Sequence, residues 1–70
     1  MQISPAKLKV IVDTTIASNP NIKMRDISDA AGWTERRLYQ LMEGKSTNIN
    51  PRIGEAIARK LKCKVVEITV

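Results

Sequence analysis

The chain has 70 residues, 43% of them hydrophobic, with Trp33 and Tyr39 its only aromatics, one cysteine, no histidine and a formal charge of +5. Its length points to one small domain over residues 1–70 with a modest aliphatic core. The absence of histidine excludes Ser/His and Cys/His nucleophiles, and one cysteine allows neither an internal disulfide nor a zinc site.

The chain has no apolar run near about 18 residues and no signal-peptide pattern. We therefore expect it in the cytoplasm, associated with the nucleoid if it binds DNA, and not in a membrane. No phosphate-binding glycine loop is present. We expect no enzyme activity, no metal and no cofactor.

In chain order, Ser4-Pro5 opens the first helix as a serine N-cap followed by proline at the first helical position. Leu8, Ile11, Val12 and Ile16 then fall on one face, and Asn19-Pro20 stops the helix near residue 18. A short second helix, about residues 23–31, carries Met24, Ile27, Ala30 and Ala31, and Gly32 ends it. Thr34 caps a third helix running to Met42, and Gly44 closes it. The segment KSTNIN reads as a polar loop. Asn50-Pro51 repeats the cap-then-proline signature and starts a fourth helix, with Ile53, Ile57 and Leu61 on one face. Gly54 inside it costs up to about 1 kcal/mol relative to alanine, a cost that suits a close approach. The tail KVVEITV favours a strand by propensity and is also long enough for a short closing helix.

Charge is unevenly placed. Residues 1–35 hold four basic and four acidic side chains, whereas residues 36–64 hold eight basic ones against Glu43 and Glu55, a net of +6. A clustered basic patch suits a polyanion, and nucleic acid is the common one.

Two short helices joined by a glycine-containing turn of three or four residues form a helix-turn-helix, whose second helix docks in the DNA major groove. At about 100° per residue, Leu38 and Leu41 point to one side of the third helix, with Thr34 near them. Arg36, Tyr39, Gln40 and Glu43 point to the other, with Glu35 on the flank and Arg37 at the apolar edge. Arginine pairs with guanine, glutamine with adenine, and glutamate accepts from cytosine.

With these residues in place the chain resembles the Cro/C1-type, lambda-repressor-like regulators, a class also called the XRE family. Ile27 matches the buried aliphatic position of helix 2, and Gly32 the turn glycine. Leu38 and Leu41 match the buried pair of the recognition helix, and Gly44 the glycine after it. INPRIGEAIARKLKCKVVEI is similar to the fourth helix and short fifth helix. The resemblance covers nearly the whole chain. It implies an all-α, five-helix domain with the helix-turn-helix at helices 2 and 3 and with VVEI as a closing helical turn.

The resemblance also implies a sequence-specific transcriptional regulator, a repressor by analogy, reading a pseudo-palindromic duplex operator as a homodimer that associates weakly without DNA. Glu35, Arg36, Tyr39 and Gln40 would face the bases. Arg25, Thr34, Arg37, Lys45, Ser46, Thr47, Asn48 and Asn50 would lie along the sugar-phosphate backbone, with the amides at the start of helix 4 adding to that contact. The apolar tail residues Val65, Val66, Ile68 and Val70 are the expected dimer contact.

Three positions depart from the family pattern. Ser28 stands where alanine is common, Met24 where a phosphate-contacting glutamine is common, and Trp33 where the turn carries a smaller aliphatic. Trp33 and Cys63 are read as core. Two readings compete: a protein-binding partner of a larger regulator on the same fold, and a helix-turn-helix of the LacI type, to which MRDISDAAGWT is also similar. The 15-residue helix ahead of that segment speaks against the second.

Overall fold

Four α-helices form where the local signals place them. In the computed structural model, which describes residues 1–70, they are α1 (Pro5–Ser18), α2 (Met24–Ala31), α3 (Glu35–Met42) and α4 (Pro51–Lys60). The caps operate as the sequence suggests. Ser4 Oγ accepts the Lys7 amide at 3.4 Å, Thr34 Oγ1 accepts the Arg37 amide at 3.2 Å, and Asn50 Oδ1 accepts the Arg52 amide at 2.8 Å. α2 starts differently. Lys23 has no capping oxygen, so the Asp26 carboxylate reaches back to the Lys23 amide at 2.9 Å and supplies the missing acceptor.

α2 packs against both α4 and α3, and α1 packs against α3. Their apolar faces enclose one core of Ile3, Leu8, Val12, Ile27, Ala31, Leu38, Leu41, Ile49, Ile57, Ala58, Leu61 and Ile68. Ser28 sits inside it at 1% exposure and is satisfied, since its hydroxyl donates to the Arg25 carbonyl at 2.9 Å. Serine is thus accommodated at this helix contact by a bond within its own helix.

In place of a fifth α-helix, the tail makes a single 3-10 turn at Val65–Glu67. Thr69 then bridges to Ile3, and Gln2 bridges to Asn48 on the other side. The segment Met1–Ser4 therefore lies between the 45–50 loop and the tail. Ile3 donates its N–H to the Thr47 carbonyl and Ser4 to that of Ile68, both at 2.9 Å, and Val70 donates to that of Gln2 at 3.1 Å. β-branched residues lose side-chain freedom in a helix, and here the pairing with residues 2 and 3 takes the backbone groups that a longer helix would have used.

Gly54 has the close approach that its helix cost suggests. A Cβ there would overlap the Met1 sulfur, so the missing side chain is the notch that admits the Met1 thioether. Gly32 is different: its φ is +72°, in the left-handed region, and a Cβ on it would meet no atom within 4 Å. Its amide donates to the Asp29 carbonyl at 3.0 Å and that of Trp33 to Ser28 at 2.9 Å, which ends α2 and turns the chain into α3. Gly32→Ala is expected to cost about 1 kcal/mol through backbone strain alone. Thermal unfolding should then show a midpoint lowered by roughly 4–8 °C; an unchanged midpoint would remove the strain account.

Candidate nucleic-acid interface

α2, the three-residue connection Gly32-Trp33-Thr34 and α3 present one continuous polar surface. α3 buries Leu38 and Leu41 completely, so the opposite side of the same helix must face solvent. Glu35, Arg36 and Tyr39 are exposed there, with Tyr39 at 49%, while Gln40 is half-buried. No carboxylate lies within ion-pairing distance of Arg36, since the only ion pairs are Arg25–Asp29 and Lys45–Glu43, each at 4.0 Å. Both pairs are solvent-exposed and hold their partners weakly.

The residues expected along a nucleic-acid backbone fall into two groups. Arg25 and Thr34 line one shallow hollow with Ser28, Asp29, Trp33 and Glu35, between α2 and the start of α3. Lys45 to Asn50 form the loop after α3. Its path is set by left-handed conformations at Gly44 (φ +92°) and Ser46 (φ +52°) and by the Lys45 amide, which donates to the Gln40 carbonyl at 2.9 Å. Ile49, 7% exposed, anchors this loop in the core, and Lys45, Ser46, Asn48 and Asn50 remain exposed around it.

Several side chains have structural duties that the sequence does not reveal. Arg37 is half-buried, with its guanidinium 4.3 Å from the Trp33 ring centroid. Its Nη2 donates to the Ser46 carbonyl at 3.2 Å, and its Nη1 is buried without a partner. Arg37 therefore joins the turn before α3 to the loop after it. Its place at the apolar edge, one turn from Trp33, brings the cation over the ring. Trp33 itself is half-buried against the core and supplies a stacking platform.

Thr34 spends its hydroxyl oxygen on the α3 cap, and Thr47 accepts a hydrogen bond from the Gln2 side chain. The amides opening α4 are also engaged. Pro51 has no N–H, the Arg52 amide is held by Asn50 Oδ1, and the Ile53 amide donates to the Asn50 carbonyl at 3.0 Å. That helix start thus offers no free amide donors to an anion; the exposed Arg52 side chain is its available cation.

Two further residues join the surface. Gln2 pairs with Asn48 and touches Thr47, and Lys9 with Asp13 lines a hollow beside Tyr39, Met42 and Glu43. Neither had a local sequence signal, since one belongs to a single bridge and the other to a solvated helix face.

Cys63 lies partly buried at the end of α4, packed against the core. Burial pushes its thiol above the usual value, and the nearby Glu67 carboxylate adds to the rise. Less thiolate is present at neutral pH, so alkylation by iodoacetamide should be slower in the folded chain than in the denatured chain at the same pH. Equal rates would show that the thiol is not shielded.

No group of three His, Cys, Asp or Glu side chains comes together to hold a metal, and no helix is long and apolar enough to cross a membrane. Comparison with protein-family models, with curated proteins and with solved structures returns no match for this chain.

Proposed function

We propose that the chain is a sequence-specific duplex-DNA-binding regulator in which α2 and α3 are a helix-turn-helix and α3 enters the major groove. The observation that carries this reading is the exposed, unpaired Arg36 on the outer face of a helix whose inner face is fully buried. An eight-residue helix is about 12 Å long, comparable with the roughly 12 Å width of the major groove. Arg36 is then aimed at guanine and Gln40 at adenine, with Glu35 and Tyr39 beside them. Lys45, Arg25 and Arg52 supply phosphate contacts on either side, and the tail's 3-10 turn takes the place of the fifth helix of lambda-repressor-like domains. Three positive charges set against phosphates make binding salt-sensitive. The operator is a two-fold related site, because one short helix reads only a few base pairs and two copies one helical turn apart double that readout.

Selection of bound duplexes from a random pool tests this reading. Enriched sequences should contain two related half-sites spaced by about one turn. Log affinity should fall with log salt at a slope of about −0.9 for each phosphate neutralised. Absence of duplex binding even at low salt would exclude it and favour a protein partner for the same basic face.

A further inference from the structure

The loop between α3 and α4 is sorted by hydrogen-bond polarity, and its acceptors are turned to the chain itself. The Ser46 carbonyl accepts from Arg37 and the Thr47 carbonyl from the Ile3 N–H. The Ile49 carbonyl accepts from the Met1 amino nitrogen at 3.0 Å, and the Asn50 carbonyl from the Ile53 and Gly54 amides. Side-chain oxygens follow suit. Thr47 Oγ1 accepts from Gln2 Nε2, Asn48 Oδ1 from the Met1 nitrogen at 3.2 Å, and Asn50 Oδ1 from the Arg52 amide. Within residues 46–50 only the Asn48 carbonyl lacks a donor from the chain.

The donors of the same loop are left over. The amides of Ser46, Thr47 and Asn48, the Nδ2 groups of Asn48 and Asn50 and the Thr47 hydroxyl proton find no acceptor within the chain. Residues 1–3 fill four of the seven engaged acceptors, so the sorting is largely their doing. Local preference would not supply it, since Ser46 holds a φ of +52°, uncommon for a residue with a side chain. Met1 is itself seated twice. Its carbonyl accepts the Ile49 amide at 2.8 Å, and its thioether, an adaptable filler, occupies the notch at Gly54.

We propose that Met1 and Gln2 are positioning residues for phosphate binding. Seated through the Met1 thioether at Gly54, they occupy the acceptors of Thr47 and Asn48 and leave the loop a donor edge. A phosphate oxygen offers only lone pairs, so it is held by N–H and O–H groups and repelled by open carbonyls. The exposed cations Lys45 and Arg52 bracket that edge. A loop already on its bound path also avoids the ordering cost that association otherwise carries. The phosphate role rests on the proposed DNA-binding reading, whereas the seating rests on contacts within the chain.

Gly54→Ala separates the two. The added methyl displaces the thioether, yet alanine favours α4 by helix propensity, so the thermal midpoint should hold. The Ile3 and Ile49 amides, which bond to Thr47 and Met1, should exchange with solvent about ten-fold faster as local opening becomes easier. Affinity should fall about ten-fold for preferred and random duplexes alike, because phosphate contacts carry no sequence information. The salt slope should stay, since no charge is removed. In a synthetic chain, Met1→Ala added to Gly54→Ala removes the overlapping atoms and should bring exchange and affinity back toward the parent values. Exchange unchanged by Gly54→Ala overturns the seating. So does a double variant no better than Gly54→Ala, or unfolded with it, because the effect would then belong to α4. Faster exchange with undiminished affinity, or with an altered preferred sequence, overturns the positioning role. A parent chain that binds no duplex sinks the DNA reading and the phosphate role with it, and faster exchange in Gly54→Ala would still leave the seating standing.

Discussion

Arg36→Ala and Lys45→Ala are expected to lose DNA binding in different ways. Arg36 projects from the exposed face of α3 with no ion-pair partner, so its guanidinium is free to pair with a guanine edge. A good bidentate pair contributes about 1–3 kcal/mol of discrimination. Its loss should relax preference at one position in each half-site and leave non-specific binding largely in place. Lys45 follows the left-handed Gly44 and is held only by an exposed 4.0 Å pair with Glu43. A phosphate contact there positions the protein without reading sequence. Its loss should weaken all duplexes nearly uniformly and lower the salt slope by about one unit. Neither side chain belongs to the core, so both variants should unfold at the parent temperature. If Lys45→Ala altered the preferred sequence and Arg36→Ala did not, α3 would not lie in the groove as proposed.

Arg37→Ala is expected to act on the protein itself. Its guanidinium stacks on Trp33 and donates to Ser46, and stacking of a partly desolvated cation contributes about 0.5–2 kcal/mol. A hydrogen bond from a charged donor contributes about 1.5–3 kcal/mol, and burial of the partnerless Nη1 offsets part of both. A net loss near 2 kcal/mol is a large share of the stability of so small a domain. Trp33 emission should change, and amides of the 45–50 loop should exchange faster with solvent. The salt slope should stay close to that of the parent chain once the variant is folded, because the lost group joins two parts of the protein. A slope reduced by one unit with unchanged Trp33 emission would restore the phosphate role expected from sequence. Arg37→Lys should not rescue, since an ammonium lacks the planar fork that stacks and donates at once.

How much of this was legible in the sequence depends on how local the cause is. Cap-then-proline pairs at Ser4-Pro5 and Asn50-Pro51 fixed two helix starts, and Thr34 and Gly32 set the limits of the turn between α2 and α3. Leu38 and Leu41 fixed which side of α3 is inward, and that alone made Arg36 outward. Each of these signals acts over at most one helical turn. The helix-turn-helix identity and the base-facing roles rest on the resemblance.

The rest was decided by residues far apart in the chain. Ile3 pairs with residues 47 and 69, which limits the closing helical turn to the single 3-10 turn at Val65–Glu67 and buries Ile68 within its own chain. Ile49, placed in a polar loop by its neighbours, becomes the anchor of that loop because the packed helices leave it an apolar socket. Arg37 becomes a brace only when the loop brings the Ser46 carbonyl to it. Periodicity and capping report the free energy of one segment against water, whereas these outcomes depend on which surfaces the other segments leave uncovered. The sequence by itself therefore determined the helices and their faces, and the tertiary structure decided which polar groups on those faces were still free to bind anything else.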